Sequence, residues 1–168
     1  VGDGDGHTTQ AQNIVDGPAP DGTGGILAVP LNSIQDSINQ VGSNISYYAY
    51  GIRNSFGIDF DPVSGKLWDT ENGLNDNDEI NMIEQGFKSG WSKIQGIAPV
   101  DFNYSLVNLG NEGKYSDPEF TWSQTVGPTK IKFLNTDKLG KKYENDIFVS
   151  DIKYGRVYHF DLNDNRNE

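Results

Sequence analysis

Between residues 46 and 83 apolar and polar positions alternate in short runs. "SYYAYGI" (46–52) alternates weakly, and "FGIDFD" places Phe56, Ile58 and Phe60 on one face of an extended segment, the period of two of a half-buried strand. "PVSG" then reads as a turn, with Pro62 presetting φ and Gly65 able to take a positive φ. "KLWDTEN" returns, and "DEINMIE" follows after a loop, so the pattern predicts strand, turn, strand, loop, strand. The same order recurs downstream: "TKIKFLN" (129–135) puts Ile131 and Phe133 on one face, "NDIFVSDI" answers it, and "KYG" turns into "RVYHFDL". Ile58 and Ile131 hold equivalent places 73 positions apart.

That spacing is a weak internal repeat, and its length suits a propeller blade with a long insertion. The expected class is all-β, as part of a propeller of about three antiparallel four-stranded blades; a plain β-sandwich fits the strand spacing nearly as well. Upstream, "GILAVPL" (25–31) predicts a short strand whose Pro30 marks an edge or an end. Residues 1–24, rich in Gly, Asp, Thr and Pro, predict a long loop, and "NSIQDSINQVGSN" allows a short helical turn. "GFKSGW" (86–91) predicts a Gly-bounded turn into Trp91, an aromatic plug of the core or between blades. The domain reading is one partial propeller over 1–168, with 1–24 as loop and 25–168 as blades.

Composition narrows the function classes. The 168 residues suffice for one domain with a core, and 20 glycines suit short strands joined by tight turns. A net charge of −11 argues against nucleic acid and against an anionic membrane surface, since both need Lys and Arg clusters. Without cysteine there is no disulfide or thiolate chemistry, and no run of 18 apolar residues spans a membrane. The start at Val1 and the end at "DLNDNRNE", directly after a strand-like run, lead us to expect a piece of a longer protein; no signal peptide is visible. Asn44-Ile-Ser46 and Asn103-Tyr-Ser105 fit the glycosylation triplet, an ordinary coincidence in an Asn- and Ser-rich chain.

Few residues announce chemistry. Arg53 offers a planar fork of donors beside Asn54, though pairing with a nearby Asp on a solvated edge explains Arg53 more simply. "TENGLNDNDEIN" (70–81) gathers Glu71, Asp76, Asp78 and Glu79 around Gly73; such a loop can offer oxygens to Ca²⁺, and it is equally a solvated acidic turn. Lys153 sits at a predicted hairpin tip beside Tyr154 and Gly155. His7 lies in a Gly-rich loop, and His159 lies mid-strand between Tyr158 and Phe160 as a packed or edge histidine. "GDGDG" and "DLNDN" could each bind a cation, but turn chemistry explains both. There is no G-x-S-x-G, no Walker loop and no dinucleotide fingerprint.

The ordered series "GIRNSFGIDFDPVSGKLWDTENG…DEINMIEQGFKSGW" resembles the glucose/sorbosone dehydrogenase family. "VGDGDG…AQN…GGILAVPL" and "NDIFVSDIKYGRVYHFDLN" extend the resemblance more loosely on either side. It implies a quinoprotein six-bladed propeller that uses pyrroloquinoline quinone (PQQ) with calcium to oxidise sugars or related alcohols and aldehydes. By the same resemblance, Arg53 and Asn54 contact the quinone, Lys153 reaches its carboxylates, and the carbonyls of Gly73 and Leu74 hold its calcium. Asp78 stands beside the catalytic histidine, and Glu79 with the Ser89 backbone serves a second, structural calcium. Location outside the cytoplasm, in the periplasm or medium, is implied likewise, and the electron acceptor is left open.

The departures from the family pattern are Ile52 in place of His, Phe56 in place of Gln, Leu74 in place of Pro and Ser89 in place of Tyr. The proton-accepting histidine has no match in this chain: by the resemblance it precedes Val1, and two further cofactor arginines follow Glu168. Ile52 and Phe56 would cover a site rather than grip an anion, which favours an alternative, a non-catalytic calcium-stabilised propeller module. A lactonase-like propeller hydrolase is a third reading.

Overall fold

The computed structural model describes residues 9–31, 45–103, 105–110 and 113–166. The Gly-Asp-Gly opening with His7, the polar segment 32–44 and one residue of each glycosylation triplet lie outside them. Ten strands follow in chain order: β1 (Gly25–Ala28), β2 (Ser46–Tyr50), β3 (Ser55–Phe60), β4 (Leu67–Glu71), β5 (Asp78–Ile83), β6 (Phe87–Lys88), β7 (Phe120–Trp122), β8 (Pro128–Phe133), β9 (Ile147–Asp151) and β10 (Val157–Phe160). They form three sheets, in the orders β1-β2-β6, β3-β4-β5-β7 and β10-β9-β8. Only the middle sheet has four antiparallel strands among the described residues.

β3 and β4 form because alternating residues meet the turn chemistry of 61–66. The Asp61 carboxylate accepts the Val63 N–H (3.0 Å) and the Ser64 hydroxyl (2.5 Å), and Gly65 takes φ 72°. Arg166 closes the same corner from the far end of the chain, with Nε and Nη2 each 2.7 Å from the Asp61 carboxylate. Burial works against the ionised Asp61, but the bonds from Arg166, Ser64 and Val63 prevail and hold its pKa below the usual range.

The sheets stack through their inner strands. Ile131 and Phe133 of β8 turn toward the middle sheet and pack on Trp68 and Ile80, with Trp68 edge-on to Phe133 at 6.0 Å. Ile58 and Phe60 of β3 turn the equivalent way, toward the first sheet. That sheet has only β1, β2 and the two-residue β6 among the described residues, so Phe56, Ile58 and Phe60 are 65%, 51% and 63% exposed. The predicted alternation is therefore present, but burial of this face is corrected: the buried residue of β3 is Gly57. A Cβ on Gly57 would lie 2.4 Å from the Thr129 carbonyl oxygen, so glycine is what lets β3 and β8 approach so closely.

"GFKSGW" is more than a turn. Its β6 runs parallel to β2, pairing Ala49 with Phe87 and Tyr50 with Lys88, and so departs from the expected antiparallel blades. Gly86, Ser89 and Trp91 donate to the carbonyls of Tyr48, Tyr50 and Gly51, which stitches the exit of the middle sheet to the first. Ala49, Ile52, Leu67, Ile83 and Phe87 fill the apolar half of that junction.

Gly57→Ala should destabilise the protein by about 1–3 kcal/mol through overpacking. Urea unfolding checks this; an unchanged midpoint would mean that β3 and β8 do not pack so tightly.

Candidate functional site

Strand direction sorts the candidate residues. Ser55 pairs with Glu71, Glu71 with Glu79 and Pro128 with Asp151, so β3, β5 and β8 begin where β4 and β9 end. Arg53 and Asn54 precede β3, Gly73 and Leu74 follow β4, Asp78 opens β5 and Lys153 follows β9. All six therefore lie on one rim of the two sheets.

Hydrogen bonds join them in sequence. Arg53 donates through Nη1 to the carbonyls of Asn72 (2.8 Å) and Gly73 (2.9 Å), and its guanidinium lies 5.6 Å from the Trp91 ring centre. The Asn54 carbonyl accepts the Asn72 N–H at 2.9 Å, and the Asn72 side chain donates to the Pro128 carbonyl at 3.0 Å. The buried Asp78 carboxylate accepts three backbone N–H groups: Gly73 at 2.8 Å on Oδ1, and Val126 at 2.6 Å and Gly127 at 2.8 Å on Oδ2. Gly127 and Val126 in turn accept the N–H groups of Ile152 and Lys153 at 3.0 and 3.2 Å. Lys153 Nζ ends the series on the Thr125 carbonyl at 2.8 Å and makes no ion pair among the described residues. The Leu74 side chain is exposed.

Below this rim, between the first and middle sheets, lies a buried acidic layer. The pairs Asp69–Asn81 and Glu71–Glu79 continue the face begun by Leu67–Ile83. Glu71 accepts the Arg53 N–H at 2.6 Å, Glu79 accepts the Gly96 N–H at 2.5 Å, and the Ser89 hydroxyl lies 2.7 Å from Glu71 and 3.2 Å from Glu79. Asn81 donates to Asp69 and to Glu79, leaving Asp69 Oδ2 and Asn81 Oδ1 buried without a partner. Burial drives Asp69 up to about 6 and Glu79 up to about 7; burial, then the charges of Glu79 and Asp69, raise Glu71 well above its usual range.

These oxygens suit a hard cation at Glu79 and Ser89. Among the described residues, however, no three acidic or histidine side chains converge tightly enough to share one ion. The Gly73 carbonyl accepts one bond, from Arg53, and keeps a second lone pair.

Ile52 does not wall the rim: it is fully buried in the apolar junction with Ala49 and Phe87. His159 belongs to the other end of its sheet, where Nε2 lies 2.6 Å from Asp146, just before β9 begins. In the sequence Asp69, Asn72 and Thr125 carry no site signal of their own, and Glu71 belongs at once to the predicted strand "KLWDTEN" and to the acidic loop 70–81. The available signal was the period of two, which sets Asp69 and Glu71 on the face of Leu67.

Asp78→Asn leaves one oxygen to accept and turns an NH₂ toward backbone donors, so it should cost roughly 2–4 kcal/mol. Amide exchange at Gly73 and Gly127 should quicken; unchanged exchange would remove Asp78 from the rim. The raised acids of the buried layer take up protons on folding. Their stabilising contribution is therefore complete below the unfolded carboxylate range and is lost as pH rises through about 6 to 7. With a chelator present, the thermal midpoint should fall from about pH 5 to about pH 8, and Asp69→Asn should flatten that fall. A midpoint that climbs across this window would contradict the assignment.

The glucose/sorbosone dehydrogenase family model matches residues 31–168. An aldose sugar dehydrogenase of Escherichia coli is 29% identical over 121 residues, spanning 69% of this chain and 31% of that protein. Quinoprotein glucose dehydrogenase B of Acinetobacter calcoaceticus is 42% identical over 72 residues, 43% of this chain and 14% of that one. Among solved structures, the PQQ-bound aldose sugar dehydrogenase of Streptomyces coelicolor superposes with a TM-score of 0.61 at 20% identity, over 96% of this chain and 40% of that one. The chain thus spans less than half the length of each of these relatives. Its three stacked sheets are part of a β-propeller. The chain belongs to the glucose/sorbosone dehydrogenase family.

Proposed function

We propose that this chain supplies the cation-bearing rim of a PQQ-dependent oxidoreductase acting on sugars or related alcohols and aldehydes. The observation that carries the reading is the hydrogen-bonded series from Arg53 through Gly73, Asp78 and Val126 to Lys153, which fixes two cations on one rim of an acidic chain. Family membership supports it, as does the PQQ-bound structure of the Streptomyces relative. Because the chain spans less than half of its relatives, the activity belongs to the whole protein.

The residues fit an anionic quinone. Lys153 Nζ meets the neutral oxygens of Thr125 and the Tyr154 ring, with no carboxylate partner among the described residues, and can turn to one, while Arg53 presents a planar fork braced from behind by Asn72 and Gly73. Asn54 adds an amide beside it. Bound there, PQQ would supply hydride acceptance from the substrate carbon. Asp78 holds the two loops in register and, in the assigned role, orients the proton-accepting histidine; no described histidine lies on the rim to be that acceptor.

Calcium enters the reading at two places. Glu79 and Ser89 would hold a structural ion, with Glu71 adjacent through the Ser89 hydroxyl. The carbonyls of Gly73 and Leu74 would serve the cofactor's ion, Gly73 through the lone pair that Arg53 leaves open. We place the protein outside the cytoplasm by family resemblance; no described helix is long and apolar enough to cross a membrane.

Incubating the full-length protein with PQQ and Ca²⁺ should give a bound-quinone spectrum and dye reduction with aldoses. Arg53→Ala and Lys153→Ala should each weaken PQQ binding about tenfold or more, about 1.4 kcal/mol. Loss of the exposed Lys153 side chain should leave the thermal midpoint nearly unmoved, whereas Arg53→Ala also gives up two rim hydrogen bonds and should lower it. Absence of quinone uptake would refute the reading. That outcome would favour the non-catalytic calcium-stabilised module, whereas uptake without turnover would mark a degraded enzyme.

A further inference from the structure

A cavity of about 470 Å³ opens on the same rim beside Lys153, between the outer strands β7 and β10. Trp122 and Tyr158 form its aromatic side, their rings 5.2 Å apart and steeply inclined. Ser123 and Gln124 bring an exposed hydroxyl and amide, and Tyr154 and Arg156 stand at the 152–156 turn. This size is ordinary for a small-ligand site, and the mixture of rings with a few polar groups is the composition such sites use.

Arg156 gives the cavity its charge preference. The chain has three arginines. Arg166 is spent on Asp61, and Arg53 is engaged by two rim carbonyls. Arg156 lies 4.7 Å from the Tyr154 ring centre, which holds its plane, and has no ion pair among the described residues. Asp151, the carboxylate of the same turn, accepts the N–H groups of Tyr154 and Gly155 at 2.6 and 2.9 Å on Oδ1, and its Oδ2 is buried without a hydrogen-bond partner, so it makes no ion pair with Arg156. A guanidinium set between the Tyr154 ring and Tyr158, without a carboxylate partner among the described residues and presented at a concave aromatic surface, is a ready carboxylate receptor in a chain of net charge −11.

We propose that this cavity binds a carboxylate-bearing saccharide unit, with Arg156 taking the carboxylate, Trp122 and Tyr158 the carbon face of the ring, and Ser123 and Gln124 its hydroxyls. The choice of a saccharide rests on the proposed sugar chemistry, whereas the cavity and its charge do not. The site would select acidic sugars, or acidic units of a longer sugar, beside the oxidation centre.

Calorimetric titration of the cofactor-free protein tests this with glucuronate, glucose and acetate as probes. Glucuronate should bind at least tenfold more tightly than either of the others, and Arg156→Gln should remove that margin while the thermal midpoint holds. Tyr154→Ala, which leaves the charge but frees its plane, should lose part of it. Equal binding of glucose and glucuronate would overturn the proposal, as would acetate matching glucuronate, or Arg156→Gln retaining the margin. PQQ uptake is read separately, so loss of one result leaves the other standing.

Discussion

A single buried carboxylate fixes the geometry on which the rim depends. Asp78 opens β5 in the middle sheet, yet two of its three N–H donors come from the segment entering β8 in the next. A carboxylate is apt here because it offers lone pairs on both oxygens and no donor of its own, so it can gather N–H groups from two chain segments at once. Charge-assisted bonds of this kind are short and strong in a dry setting. Gly73 and Gly127 let the backbone come close enough to deliver them. Without this knot, the segments that carry Arg53 and Lys153 would keep the Asn72 side-chain bond to the Pro128 carbonyl but lose the three N–H bonds that hold them in register.

The junctions between sheets are built unequally. Between the middle sheet and the β8 sheet the contact is apolar, with Trp68, Ile80, Ile131 and Phe133 interleaved. Between the first and middle sheets, Leu67 and Ile83 give way toward the rim to Asp69, Glu71, Glu79 and Asn81. Buried carboxylates with neutral partners cost stability, and they are kept in cores where they hold an ion or share protons. The same junction leaves β3 with a bare apolar stripe, because each inner strand turns its apolar side to the preceding sheet.

Strand order and much of the rim were legible in the residues. "FGIDFD", "LWDTE" and "DEINMI" carry period-two signals strong enough to place β3, β4 and β5, and antiparallel pairing then puts Arg53, Gly73 and Asp78 at one edge. β7 was not legible: three residues, Phe120–Trp122, follow some thirty residues of mostly irregular chain and pair only across space with β5. Nor was the exposure of Phe56, Ile58 and Phe60, since alternation defines a face and not what covers it. Ile52 misled in the other direction, reading as a wall of the site when it is packed core. The burial of Asp69 and Glu71 depended on β6 folding back against β2, a long-range contact with no local signature.

The central claim is that the loops at 53, 73, 126 and 153 form one cofactor-facing surface. The most direct measurement is a map of backbone amide shifts in the isotope-labelled protein on addition of PQQ with Ca²⁺. Perturbations confined to the amides around Arg53, Gly73, Val126, Gly127 and Lys153 are the expected result. Shifts clustered at the opposite strand ends, around Asp61, Asp146 and His159, or spread without focus over the sheets, would contradict it.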